Sequence, residues 1–154
     1  MKTLELRRHA RRDPSADRLS PAGRAEAEDA GRSSSRRYDV VYVSPARRAA
    51  ETAAWFLRGA GAPLVDHAVV PGLAGQDASG GSPEGMAEGI RALLDQMEDG
   101  WVGLAVSHTP LVERAALGLT GREVAPMAEL DGIVITMTDD GRIDVDELRL
   151  PHTP

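Results

Sequence analysis

From the amino terminus, apolar and polar residues alternate through Thr3-Leu4-Glu5-Leu6-Arg7, the period of a short strand. Ser20-Pro21 is a helix start, with Ser20 as N-cap and Pro21 in the first helical position, and a mostly alanine face carries that helix to about Ser33. Asp39-Val40-Val41-Tyr42-Val43-Ser44 is β-branched and aromatic, and predicts a buried strand. Pro45 opens a second helix with Ala46, Ala49, Ala50, Ala53 and Leu57 on one face, which Gly59 and Gly61 end. Val65 to Val70 forms a third strand. Residues 71–85 are rich in Gly, Ser and Pro and predict an exposed loop, the rim of a pocket rather than a linker.

Met86, Ile90, Leu93, Leu94 and Met97 then recur at helical spacing. Val102 to Ser107 is continuously apolar until its last residue, as in a strand covered on both faces. Leu111, Val112, Ala115 and Leu119 mark a fourth helix. Gly132 to Met137 and Ile143 to Leu148 predict two strands joined by a turn at Asp139-Asp140-Gly141. The order β-α-β-α-β-loop-α-β-α-β-β has no internal repeat. It predicts an α/β fold of three layers, α/β/α, around a mostly parallel central sheet. A length of 154 residues suits a single domain, 1–154.

Composition narrows the chemistry. Aromatics are 3%, so the core is built from Ala, Val, Leu, Ile and Met. Cysteine is absent, which removes disulfides, thiol catalysis and thiolate metal sites together. His9, His67, His108 and His152 show no close pair spacing, so neither a metal nor a cofactor is expected. No apolar run reaches the length of a membrane span and no leader-like stretch opens the chain, which points to the cytoplasm. A net charge of -6 argues against nucleic acid as a partner. That charge is uneven: residues 1–48 hold 12 of the 18 Lys and Arg against 7 acids. Most of these arginines are read as solvated on helix faces, but a few suffice for a cationic pocket.

In parallel α/β sheets, ligands bind beyond the carboxyl ends of the strands. Three predicted strands end in chemistry suited to an anion: Arg7-Arg8-His9, Ser44-Pro45-Ala46-Arg47-Arg48 and Ser107-His108-Thr109-Pro110. Brought to one edge, two imidazoles and at least two guanidiniums suit phosphoryl transfer. The equatorial oxygens need positive charge, and the nucleophile must stand in line with the leaving oxygen. Arginine forks match phosphate oxygens, and a neutral imidazole is nucleophilic near neutrality without a metal. The helix starts after Pro45 and Pro110 would add backbone N–H donors. At a strand end, His9 is expected to face solvent rather than core.

These segments resemble the histidine phosphatase superfamily, which includes the phosphoglycerate-mutase-like enzymes. Arg8-His9-Ala10 resembles the opening Arg-His followed by Gly or a small residue, and Arg12 completes the Arg-His-x-x-Arg form of some members. Leu19-Ser20-Pro21-Ala22-Gly23-Arg24-Ala25-Glu26-Ala27 is similar to the Leu-Thr-x-x-Gly-x-x-Gln-Ala helix entry. Ser44 to Ala53 is similar to Ser-x-x-x-Arg-Ala-x-x-Thr-Ala, and Val106-Ser107-His108 to the late Val-Ser/Gly-His motif. Size and the run Ser107 to Val112 make the chain most like the short bacterial phosphohistidine phosphatases.

The resemblance implies His9 as nucleophile, with Arg8, Arg48 and His108 on the phosphoryl oxygens and Arg12 and Thr109 as further phosphate contacts. Its implied partner is a phosphohistidine protein or a phosphorylated small molecule. Three positions depart from the family pattern: Arg7 stands at a usually apolar or small position, Ala10 replaces Gly, and Gly72-Leu73-Ala74-Gly75-Gln76-Asp77 has glycine where many members place an acidic general acid. Asp77 and Glu84 are nearby substitutes for that acid. The readings are therefore a phosphatase acting on phosphohistidine or another easily cleaved phosphoester, a broad small-molecule phosphomonoesterase with Asp77 or Glu84 as acid, or a phospho-ligand-binding module without turnover.

Overall fold

Six strands form one sheet in the order β3-β2-β4-β1-β5-β6. The computed structural model describes residues 1–62, 66–76 and 80–151. The strands are β1 (Lys2–Arg8), β2 (Val40–Val43), β3 (His67–Val69), β4 (Val102–Ser107), β5 (Gly132–Met137) and β6 (Ile143–Leu148). The helices are α1 (Pro21–Arg32), α2 (Arg47–Gly59), α3 (Pro83–Gln96) and α4 (Leu111–Thr120). β3, β2, β4 and β1 run parallel, whereas β5 is antiparallel to both β1 and β6. The fold class and element order expected from the sequence are those observed. Val65, the expected start of β3, lies outside the described residues.

Two apolar clusters lie on opposite faces of this sheet. Leu4, Leu6, Ile90, Leu94 and Val112 belong to one, beneath α3 and α4. Val41, Val43, Leu104, Val106 and Phe56 belong to the other, beneath α1 and α2. β1 alternates between them, and this changes the meaning of its polar positions. Leu4 and Leu6 face the first cluster, while Glu5 (0% exposed) and Arg7 (4% exposed) are buried on the opposite side rather than turned to water. Arg7 at a family-apolar position is thus explained: its Nε bonds Glu5 Oε1 at 2.8 Å and its guanidinium lies 4.7 Å from the Phe56 ring.

At its described ends, segment 71–85 is more regular than expected. Pro71–Ala74 is a 3₁₀ turn, because Leu73 finds a core position at 2% exposure. Ser82 caps α3, its side chain accepting the Gly85 N–H. α2 begins two residues after Pro45, with Ala46 as an N-cap that has no side-chain acceptor. No described helix is long and apolar enough to cross a membrane.

Candidate active site

Parallel register brings the three strand ends level. Arg8 lies opposite Ser107 and Val43 opposite Val106. The ladder runs one residue further on each side, with His9 N–H bonded to Ser107 O at 3.0 Å and Ser44 N–H to Val106 O at 3.1 Å. His9 and His108 therefore leave neighbouring strands at the same height, their ring centroids 5.2 Å apart, edge to face. α2 supplies Arg48 above them. Thr52, one turn on, locks this arrangement, taking the Ala10 N–H and donating to Arg48 O.

The hydrogen bonds assign both tautomers. His9 Nδ1 lies 2.7 Å from the Ala10 carbonyl, which only accepts, so Nδ1 carries the proton and Nε2 is left unprotonated, as an acceptor. Arg48 Nε donates to that Nε2 at 3.3 Å and Nη2 to His108 Nδ1 at 3.3 Å. His108 then holds its proton on Nε2 and donates to Ser44 Oγ at 2.7 Å. Burial lowers the pKa of both imidazoles, and Arg48 and Arg8 lower them further; His108 is pushed down to about 4, with His9 contributing. His9 is only 7% exposed, contrary to the solvent-facing position expected of a strand end: its ring is held between the Ala10 carbonyl, Arg48 and the His108 ring. Two neutral imidazoles thus stand among guanidiniums.

A cleft of about 800 Å³ opens over this cluster, lined by Arg8, His9, Arg12, Arg48, His108 and Thr109 among others. All six sequence candidates for catalysis or phosphate binding meet here. Arg8 Nη1 donates to Met127 O, whereas its buried Nε has no partner among the described residues. Arg12 is exposed at the rim, and the Thr109 hydroxyl donates to Glu113. Ala74 and Gln76 form another wall, so part of segment 71–85 is the rim expected of it. Ser107 Oγ fixes that wall by donating to Leu73 O at 2.5 Å.

Of the two proposed acids, only Glu84 lies among the described residues, and it stands apart from this cluster. Glu84 is exposed on the first turn of α3 and does not line the cleft, and Asp77 lies outside the described residues. Two carboxylates that the sequence reading passed over do line it: Asp17 and Glu129. Asp17 accepts the Arg47 and Arg48 N–H groups and the Arg48 guanidinium at 2.9 Å. Burial pushes its pKa up, but these bonds outweigh it and hold the carboxyl below its usual range. The N–H donors expected at the start of α2 are therefore already taken. Ala46 cannot cap the helix, and that deficiency is the one sequence signal for Asp17. Glu129 lies in irregular chain, where no periodicity marks it.

Positive charge, an unprotonated ring nitrogen and room for a compact anion equip the cleft to receive a phosphoryl group. Among the described residues, no group of three or more His, Asp or Glu gathers in a way that could hold a metal ion.

Solved structures share this architecture. A phosphoserine phosphatase from Entamoeba histolytica, in complex with 3-phosphoglyceric acid, matches with a TM-score of 0.76 at 16% identity over 98% of each chain. The protein histidine phosphatase SixA complexed with tungstate gives 0.73 at 21% identity over 96% of each. Mycobacterial glucosyl-3-phosphoglycerate phosphatase gives 0.72 at 17% identity over 97% of this chain and 99% of that one. At these identities the likeness is one of fold. No curated protein matches the sequence. The family of the histidine phosphatase superfamily (branch 1) matches residues 4–113, from β1 into the first turn of α4, a span that contains Arg8, His9, Arg48 and His108. With that span matched, the chain belongs to the histidine phosphatase superfamily, branch 1.

Proposed function

We propose that this phosphatase works through a phosphoryl group carried on His9 Nε2, and that its substrates are phosphohistidine, other phosphoramidates and phosphomonoesters with good leaving groups. The observation that carries the reading is the His9 Nδ1–H bond to the Ala10 carbonyl, which leaves Nε2 unprotonated beside Arg8, Arg48 and His108. In the first step the Nε2 lone pair forms the bond to phosphorus while the bond to the leaving group breaks with its electron pair. In the second, water attacks phosphorus, the P–Nε2 pair returns to His9, and inorganic phosphate departs. Arg48, the buried Nε of Arg8 and a protonated His108 neutralise the equatorial oxygens in both steps. Arg12 and Thr109 contact the phosphate from the rim.

Under this reading no side chain donates a proton to the departing group: Glu84 does not line the described cleft, and Asp77 lies outside the described residues. Protonation of a departing alkoxide typically contributes ~10² to 10⁴ in rate, so alkyl phosphates are slow substrates under this reading. His9→Ala abolishes turnover and the acid-labile, alkali-stable phosphoenzyme while leaving the fold intact. Across a series of aryl and alkyl phosphomonoesters, log rate falls steeply with leaving-group pKa, and Asp77→Asn and Glu84→Gln leave the slope in place. A His9→Ala variant that keeps a tenth of the activity overturns the nucleophile. A shallow slope that steepens in Asp77→Asn or Glu84→Gln replaces the phosphohistidine reading with a broad small-molecule phosphomonoesterase.

A further inference from the structure

Glu129 is placed in the cleft by a turn that costs the chain something to make. Residues Ala128–Asp131 close on themselves, with Asp131 N–H on Ala128 O at 3.1 Å and Ala128 N–H on Asp131 Oδ2 at 3.2 Å. The third residue, Leu130, has a φ of +68° and is only 2% exposed. A left-handed conformation is unfavourable for a leucine, whose Cβ crowds the following carbonyl oxygen, and burial of its side chain beneath α1 and α2 offsets that cost. β1 holds the same turn. Arg8 N–H bonds Asp131 O, Leu130 N–H bonds Arg8 O, and Arg7 Nη1 bonds Leu130 O at 2.9 Å. Glu129, at the tip, is thereby fixed to the residues that deliver His9.

Its charge reaches His9, and the side chain is half-buried in the cleft wall. The other lining carboxylate, Asp17, is saturated by Arg48 and two backbone amides. Glu129 has no hydrogen-bond or ion-pair partner among the described residues. A free carboxylate is adverse in a site for a phosphoryl dianion unless the remainder of the substrate brings a positive charge. Phosphoimidazole protonated on its second ring nitrogen brings one, together with an N–H donor.

We propose that Glu129 is the leaving-group residue of this cleft: its carboxylate accepts the N–H of a protonated phosphoimidazole and so selects cationic phosphoramidates over phosphate esters. This rests on the His9 reading. As His9 Nε2 bonds to phosphorus, the P–N bond breaks and its electron pair goes to the departing ring nitrogen. The other ring nitrogen keeps its proton against Glu129, so imidazole leaves neutral and no acidic side chain has to donate.

The test compares kcat/KM and the burst rate of phosphoenzyme formation on N-phosphoimidazole and p-nitrophenyl phosphate in wild type, Glu129→Gln and Glu129→Lys. A hydrogen bond to a charged acceptor sets the scale. The ratio of the phosphoimidazole to the aryl phosphate value falls about tenfold or more in Glu129→Gln and further in Glu129→Lys. A ratio that stays within about threefold of wild type in both folded variants overturns the role of Glu129. Failure of the underlying reading shows separately, as a His9→Ala enzyme that still turns over both substrates.

Discussion

His108 is the residue whose state must change most when an oxyanion arrives. In the free protein its Nδ1 faces Arg48 as an acceptor, which repels a phosphoryl oxygen. Burial first, then His9, Arg48 and Arg8, hold its pKa at about 4, so it is neutral at pH 6. A bound dianion reverses the local charge and favours the imidazolium, so binding takes up a proton. The sign follows: the anion binds more tightly as pH falls through the raised bound value, and the gain levels off below about 4, where the free ring is already charged. An NMR titration of the His108 ring with and without saturating sulfate, a dianion throughout this range, reads the shift directly. An unchanged pKa would remove His108 from the anion site.

The legible part of this site had residue type and strand position together. Arg8-His9, Arg48 and Ser107-His108 each follow an apolar run whose end is readable. Asp17 and Glu129 are carboxylates in irregular chain, and their meaning comes from contacts across the fold, such as the 31 residues separating Asp17 from Arg48.

Among the elements, α2 depends on how closely α1 allows it to approach. A Cβ at Gly59 would stand 1.8 Å from Glu28 O, and one at Gly31 would stand 1.8 Å from Phe56 O. Each glycine thus faces the backbone of the other helix at the crossing. Gly59 looked in the sequence like a helix stop, but it is the last residue of α2, and Gly61, at φ +67°, makes the turn. The difference between packing and stopping is tertiary, and local pattern does not contain it. Gly59→Ala must push α1 and α2 apart, at roughly 1–3 kcal/mol by analogy with overpacked cores. Because Arg48 and Thr52 ride on α2, oxyanion affinity should fall along with the melting temperature. A Gly59→Ala protein with wild-type stability in urea denaturation would refute the close crossing.

Across the whole molecule, alternation in β1 marked the strand and the expected three layers covered both faces of the sheet, but the pattern did not say what Glu5 and Arg7 would meet there. The sheet order that places β1 centrally, between β4 and β5, was not readable from element order. That placement seals Glu5 and Arg7 inside the protein. Glu5 receives the Arg7 Nε, Arg36 Nη1 at 3.1 Å and the Tyr38 hydroxyl at 2.9 Å. Burial, then the Glu5 charge, pushes the Tyr38 pKa up, so its proton stays available to donate. Removing Glu5 leaves the Arg7 charge buried without its carboxylate, and removing Arg7 leaves Glu5 to Arg36 and Tyr38 alone; breaking a buried pair in this way costs about 3–5 kcal/mol, whereas removing both members avoids most of that penalty. Glu5→Ala and Arg7→Ala should therefore each destabilise strongly in urea denaturation, and the double variant should lose much less than the two losses added. A coupling of about 2 kcal/mol or more is the expected outcome of the cycle. Strict additivity would mean that the two charges are solvated independently, which is incompatible with a β1 covered on both faces. Arg7 also holds the Leu130 carbonyl, so Arg7→Ala, more than Glu5→Ala, should also loosen the turn that presents Glu129 and lower turnover of phosphoimidazole in the protein that remains folded.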